Sequence, residues 1–380
     1  MLIEIRGTGF ENKGAELMLH AILQKVGDSF PDARFAMTPS NNQDYVRRAM
    51  LGLYQKVRLR KYGVSLCWMI PSKWRQKYRQ LYGLVLDNDV DVVLDASGFA
   101  YSEQWGEYSS VTLASYVKTW KKRGTKIVLL PQAMGPFTSP TIRKAFAFVV
   151  NNADLVFARD DVSYKYVTEV VGERENVLKA PDFTNLLPGI TPADPERFHG
   201  RFCLVPNCRM IDKTSDDQST RYTFFCAECI KSLVEFGHRP FILIHGGSQD
   251  LRLAQKIMSE SNEEIEIIKE TDALKIKGIL GLCKGAISSR YHGLVSALSQ
   301  GVPSLASGWS HKYEMLFKEY SIPDGCLSVS IEPKALKEQI QRITNDNSRK
   351  EIIAKITKAS NMLKEQTEQM WQKVFSVIEK

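Results

Sequence analysis

No run in the 380 residues approaches the ~18 consecutive apolar side chains that a membrane span needs. The start, MLIEIRGTGF, meets a charge at Glu4 and carries no apolar stretch of the signal-peptide kind, so a cytoplasmic, soluble protein is expected. Gly 24 and Pro 15 are too few for a collagen-like or low-complexity chain. Seven cysteines are odd in number and scattered, which is no disulfide framework. Cys226 and Cys229 form the only close pair; they sit at helical spacing in an apolar stretch with no second CxxC, which favours buried thiols over a zinc site. HExxH, GxSxG and GxxxxGK[ST] are missing, which argues against a zinc peptidase, a serine hydrolase and a P-loop kinase. Zinc-finger, helix-turn-helix and RRM signatures are missing too, so no nucleic-acid partner is expected.

Acidic residues are absent between Tyr45 and Leu86, where Arg47, Arg48, Lys56, Arg58, Arg60, Lys61, Lys73, Arg75, Lys77 and Arg79 accumulate. The whole chain carries +8, so this segment alone, at +10, leaves the remainder at −2. Tyr45, Tyr54, Tyr62, Trp68, Trp74, Tyr78 and Tyr82 are interleaved with the bases. Two readings stay open: a solvated basic face, or a docking surface for an anionic membrane at the inner face of the cytoplasmic membrane.

What remains is an ordinary globular composition, 43% apolar and 25% charged, long enough for two domains. Strand-like runs at Leu2–Ile5, Asp91–Asp95, Lys126–Leu130, Leu155–Ala158 and Val177–Lys179 alternate with helical patterns, the mark of a parallel α/β sheet. A Pro-, Gly- and Asp-rich stretch follows, and the pattern restarts at Phe202–Val205. The expected fold is α/β: two Rossmann-like domains facing a cleft, with a long C-terminal helix. Boundaries fall at 1–187 for the first domain, 188–200 for a linker, 201–340 for the second domain and 341–380 for the helix.

Ligands of such folds bind beyond the carboxyl ends of strands. Three glycine-containing turns stand there in the first half: Gly7–Gly14, Asp95–Phe99 and Pro131–Phe137. Arg159 ends another strand, in Ala158-Arg159-Asp160-Asp161, and is either a surface ion pair or an anion ligand. The most pointed segment is Ser288-Ser289-Arg290-Tyr291-His292-Gly293, where a strand runs into hydroxyls, an arginine and a histidine at a helix start. That arrangement suits an anion with a proton-transfer group beside it. A second polar loop, Gly308 to Tyr313, brings Lys312.

Together these segments resemble the polysaccharide pyruvyl transferases. The likeness runs through Asn12 and Gly14, the Gly98 loop, Gln132–Pro136, ARDDVS, APDFTNLL, SSRYHGLVSALSQGVP and Lys312. Two departures are Gly14-Ala15-Glu16, where the family often has Gly-Asp, and a second loop poorer in glycine. The resemblance implies a GT-B-like fold and transfer of the pyruvyl unit of phosphoenolpyruvate onto two sugar hydroxyls as a cyclic ketal, in capsular or exopolysaccharide synthesis. It implies a donor site of Arg159, Arg290, Lys312, Ser288 and Ser289, with His292 and Arg290 catalytic. Asn12, Gly14, Gly98 and Gln132 fall on the acceptor side, where the sugar is lipid-linked or soluble. No metal and no cofactor are required beyond the donor. The alternatives are a GT-B glycosyltransferase using a nucleotide sugar, and an inactive glycan- or membrane-binding protein on the same scaffold.

Overall fold

The computed structural model describes residues 1–40, 44–57, 60–61, 64–65, 70–308 and 310–380. Arg58, Tyr62 and Trp68 of the basic segment, and Trp309, lie outside them. The chain divides into two compact units: Met1–Glu11, Met18–Asp182 and Glu368–Lys380 form the first, Asn12–Leu17 and Phe183–Thr367 the second.

In the first unit the strands are β1 (Leu2–Arg6), β2 (Arg34–Met37), β3 (Tyr54–Val57), a small antiparallel hairpin of β4 (Arg60–Lys61) and β5 (Val64–Ser65), β6 (Leu84–Leu86), β7 (Val92–Asp95), β8 (Lys126–Gln132), β9 (Leu155–Ala158) and β10 (Val177–Lys179). The helices between them are α1 (Lys13–Ser29), which begins in the second unit, α2 (Tyr45–Met50), α3 (Ser72–Tyr82), α4 (Tyr108–Lys121), α5 (Pro140–Asn152) and α6 (Asp161–Val171). Eight strands make one sheet in the order β10-β9-β8-β7-β1-β2-β3-β6, and every pairing is parallel. The central strands read VVLD, KIVLLPQ and LVFA because helices cover both faces, so no alternation with polar residues is needed. Val93, Ile127, Trp120, Phe146 and Val149 belong to one buried cluster on one side.

Among the described residues, two bases of the basic segment are interior. Arg48 is buried on Gln55, its Nε 2.7 Å from Oε1. Lys56 is wholly buried between Glu4 and Asp87, with 2.7 Å to Asp87. The surface charge is accordingly smaller than the sequence count.

The second unit holds β11 (Phe202–Val205), α7 (Arg209–Asp212), α8 (Asp216–Glu235), β12 (Phe241–Ile244), α9 (Ser248–Ser261), β13 (Glu266–Lys269), α10 (Ala273–Leu282), β14 (Gly285–Ser288), α11 (Tyr291–Leu298), β15 (Ser304–Ser307), α12 (Lys312–Glu319), β16 (Cys326–Leu327) and α13 (Pro333–Thr344). Its six strands pair in parallel in the order β13-β12-β11-β14-β15-β16. Cys226 and Cys229 lie on the buried face of α8, and burial pushes the Cys226 thiol up to about 12. The chain closes with α14 (Asp346–Ile378), a helix of 33 residues. Ile356 and Leu363 bury against Leu294 and Phe317 of the second unit. Beyond Thr367 the helix counts with the first unit, where Phe375 meets Phe30 edge-on at 5.5 Å.

Both sheets reverse strand order once, between β1 and β7 in the first and between β11 and β14 in the second. A crevice opens at such a switch point, beyond the carboxyl ends of the two strands.

Candidate functional site

At the second unit's switch point the loop after β14 is held from three sides. The Ser288 hydroxyl accepts from the Arg290 N–H (3.0 Å) and donates to the Arg290 carbonyl (3.1 Å), which shapes the turn into α11. The Ser289 carbonyl accepts from Asn207 Nδ2 (2.8 Å) and from the Tyr313 hydroxyl (2.9 Å), while the Ser289 N–H donates to the Val205 carbonyl. Arg290 stands at the N-cap of α11, and its side chain makes no cap hydrogen bond to the helix. Its Nη2 is bound by the buried Asp250 carboxylate, and its Nε is buried without a hydrogen-bond partner among the described residues.

His292, one residue into α11, is half-buried. The first turn of α1 presses on its ring: a Cβ at Gly14 would come 2.7 Å from His292 Cγ. That turn is set by Asn12, whose Oδ1 accepts from the Gly14 N–H at 3.0 Å, and by Lys13, paired with Glu16 at 2.8 Å. Lys312 opens α12, buried, with Nζ over the rings of Tyr291 (5.6 Å) and Tyr313 (5.5 Å). Arg290, His292, Gly14 and Lys312 thus belong to one neighbourhood of the second unit.

The first unit's switch point is glycine-dependent in the same way. Gly7 has φ 74° and approaches Ser97 so closely that a Cβ would lie 2.5 Å from the Ser97 nitrogen. The Gly98 carbonyl accepts from the Ala133 N–H at 2.9 Å, stitching two of the loops together. Gln132 is buried; its Nε2 reaches the Asp95 carbonyl at 3.4 Å, its carbonyl accepts from the Arg159 N–H, and its Oε1 has no partner among the described residues. Arg159 is buried and donates through Nη1 to Asp182 at 3.2 Å, so Asp182, not Asp160, is its carboxylate. Asp160 instead caps α6, accepting from the Ser163 N–H at 2.7 Å.

A family model described as polysaccharide pyruvyl transferase matches residues 12–311. The chain belongs to this family. No curated protein sequence matches it. Among solved structures, MnaA of S. aureus with UDP is 12% identical, with 100% of this chain and 96% of that one covered and a TM-score of 0.61. HepE of Anabaena with UDP-glucose is 14% identical over 99% of each chain, TM-score 0.61. The UDP-GlcNAc 2-epimerase of Neisseria meningitidis, bound to UDP-GlcNAc, is 8% identical over 99% and 100%, TM-score 0.59. At these identities the likeness establishes the fold: this pyruvyl transferase family member is two parallel α/β units of GT-B-like architecture.

Several residues of this family member escape a motif search. Arg6 ends β1, with Nε 3.5 Å from Asp95; burial opposes its charge, but Glu4 and Asp95 more than offset this and hold it firmly protonated. Tyr101 donates to Asp95 at 2.9 Å, and burial, then the Asp95 charge, push its hydroxyl well above the usual range. His245 follows β12 and is 1% exposed, with neither ring nitrogen hydrogen-bonded among the described residues. Burial, then Arg290, His292 and Lys13, push its pKa well below the ordinary value. The available signal was FILI running into His245-Gly246-Gly247, a strand end of the same kind as the one before Arg290.

Proposed function

We propose that the protein transfers the pyruvyl unit of phosphoenolpyruvate onto two hydroxyls of one sugar, as a cyclic ketal, during capsular or exopolysaccharide synthesis. The observation that carries this reading is the Arg290–His292 start of α11 at the second unit's switch point, in a chain whose family acts on polysaccharides. Phosphoenolpyruvate is a trianion, and charge-assisted bonds from guanidinium forks are the strongest means of holding one. Arg290 and the first turn of α11 take the phosphate, and Ser289 and Lys312 lie beside that loop. Arg159, in the first unit, is the second guanidinium that the resemblance implies for the donor. The Arg290 fork has one arm on the Asp250 carboxylate, which orients it and leaves Nε for the substrate.

In this scheme a proton is added to the methylene carbon, leaving an oxocarbenium-like centre. One sugar hydroxyl attacks it and loses its proton, the C–O bond to phosphate breaks, and the second hydroxyl closes the ring and loses its own. Of the two hydroxyl protons, one ends on the new methyl group and one on the released hydrogen phosphate. His292 is the group placed to shuttle them, since an imidazole exchanges protons near neutral pH. Asn12, Gly14, Gly98 and Gln132 are assigned to the acceptor side.

A second reading is favoured by one observation: MnaA and HepE were solved with UDP or UDP-glucose, so the scaffold accommodates nucleotide sugars in those proteins. On that reading Arg290 and Lys312 hold a diphosphate. The deciding assay offers phosphoenolpyruvate and, separately, UDP- and GDP-sugars, and measures phosphate and nucleotide release. Phosphate release that needs both phosphoenolpyruvate and a sugar supports the first reading; nucleotide release without phosphoenolpyruvate supports the second.

We further propose peripheral docking to the inner face of the cytoplasmic membrane, where a lipid-linked sugar would be met. Trp74, Tyr78 and Tyr82 form an exposed stripe along α3, with centroid separations of 6.2 and 5.9 Å. Exposed Lys73 and Lys77 lie on the same helix. Aromatic rings beside ammonium groups suit the headgroup layer of an anionic bilayer.

A further inference from the structure

The second unit's sheet edge holds a buried histidine that the scheme above does not use. The strands β12, β11 and β14 are neighbours, and their carboxyl ends carry His245, Asn207 and Ser289-Arg290 side by side. Leu243 belongs to the buried cluster with Ala286 and Ala297, on the α11 side of the sheet, whereas Ile242 and Ile244 belong to the opposite cluster. Strand alternation therefore turns residue 245 toward α11. The charges acting on His245, from Arg290, His292 and Lys13, agree with that direction.

Two observations there call for an acceptor. Neither ring nitrogen of His245 has a hydrogen-bond partner among the described residues, although the side chain is buried. Arg290 Nε is buried and equally unpartnered. Buried donors left unmade are costly, and a native fold keeps such a cluster only where something satisfies it. The Arg290 fork is anchored from behind: a Cβ at Gly246 would come 2.5 Å from Nη2, so this glycine admits the guanidinium and its Asp250 partner. An apolar ligand cannot answer these donors, and a cation would be repelled by Arg290 and Lys13. A compact oxyanion with several acceptor atoms answers all of them.

We infer that His245 and Arg290 Nε form a phosphate subsite in which His245 is a direct ligand. A neutral imidazole donates one hydrogen bond to the phosphoryl oxygens without adding charge beside Arg290 and Lys13. This rests on the proposed function only in identifying the phosphate as that of phosphoenolpyruvate before transfer and of hydrogen phosphate after it.

The test titrates inorganic phosphate and phosphoenolpyruvate, separately, into the full-length protein by calorimetry, with wild type, His245→Ala, His245→Gln and Arg290→Ala. In parallel, ring-15N-histidine spectra of wild type are recorded with and without saturating phosphate. His245→Ala should weaken phosphate binding by about tenfold or more, the scale of one buried hydrogen bond. His245→Gln, which keeps a donor, should recover part of it, and the His245 ring signals, assigned by their loss in His245→Gln, should move when phosphate is added. The wild-type spectra decide the matter even if His245→Ala does not fold. Ring signals that stay put while Arg290→Ala abolishes binding would overturn the subsite and leave the pyruvyl-transfer reading standing. Binding of phosphate through His245 with no binding of phosphoenolpyruvate would keep the subsite and remove that reading.

Discussion

The backbone of Gly14 lies against the imidazole of His292, close enough that a Cβ would stand 2.7 Å from Cγ. Residue 14 is in the first turn of α1, where alanine is otherwise the better helix former by ~1 kcal/mol. Gly14→Ala gains that helix propensity but must displace His292, so its Tm should stay near that of wild type while activity falls. Because the two residues act through one contact, Gly14→Ala added to His292→Ala should cost little more than His292→Ala alone. Fully additive losses in kcat/KM would show that Gly14 acts elsewhere.

His292→Ala should lower kcat by ~10²–10⁴-fold, the span for losing a general acid or base. Phosphoenolpyruvate affinity should change far less, since the phosphate is held by other groups. A variant with near-normal kcat removes His292 from the proton transfers.

The three donor-site cations should separate by their surroundings. Arg290→Ala should weaken phosphoenolpyruvate binding by about 1.5–3 kcal/mol for each charged hydrogen bond lost. Arg159→Ala, like Arg290→Ala with Asp250, also takes a guanidinium from a buried carboxylate, here Asp182, and removing one partner of a buried pair costs about 3–5 kcal/mol of stability. Its signature should be a lowered Tm together with weak donor binding. Arg159→Lys should restore the Tm better than the affinity, because an ammonium cannot make the forked contact. Lys312→Ala loses the contact with the rings of Tyr291 and Tyr313 and should weaken donor binding with a smaller melting shift. Calorimetry showing unchanged donor affinity in all three would move the donor out of this site.

Lys56 gives a stability test remote from the chemistry. It sits wholly buried between Glu4 and Asp87, so Lys56→Met should destabilise the protein by about 3–5 kcal/mol by taking the ammonium from both carboxylates, of which Glu4 keeps Arg6. Adding Glu4→Gln and Asp87→Asn should restore most of the loss in denaturant melts. A triple variant no better than the single one would mean that packing, not charge, dominates at this position.

This lysine also marks where the sequence stops being readable. Strands such as Leu155–Ala158, Val177–Lys179 and Phe202–Val205 show as apolar runs, and the structure places them at those bounds. Tyr54–Val57 does not, because Gln55 and Lys56 look like surface residues and become interior only through Arg48, Glu4 and Asp87, distant in sequence. Arg34–Met37, Leu84–Leu86 and Cys326–Leu327 do not show either, although Val177–Lys179, three residues long, does. At the second unit's site, Arg290 and His292 were conspicuous because two polar functional groups crowd one helix start. His245 stood alone after FILI, and a lone histidine gains meaning only once its ring is seen buried beside Arg290. Asp182 was hidden likewise, 23 residues from the arginine it holds.

The stripe on α3 yields the last prediction. Trp74 is 60% exposed and Tyr82 61%, with Leu81 at 60% on the same helix, an unusual concentration of large apolar surface facing solvent. Arg75 and Arg79 share Asp89 at 3.1 and 3.2 Å, so they contribute less free charge than the sequence suggests, and exposed Lys73 and Lys77 carry more of the attraction. Each lysine near an anionic surface adds about 1 kcal/mol, so the charges alone give weak attraction and the rings must supply the rest. Wild type should sediment with vesicles of anionic phospholipid at low salt, leave them as ionic strength rises, and ignore zwitterionic vesicles. Lys73→Glu with Lys77→Glu should remove the salt-sensitive part. Trp74→Ser with Tyr78→Ser and Tyr82→Ser should weaken binding at every salt concentration, because it deletes apolar contact and not charge. None of these residues belongs to the donor or acceptor sets, so turnover on a soluble sugar acceptor should stay at the wild-type rate in both variants, while turnover on a vesicle-borne acceptor falls. Wild type that ignores anionic vesicles even at low salt would refute docking through α3 and point to an acceptor met in solution.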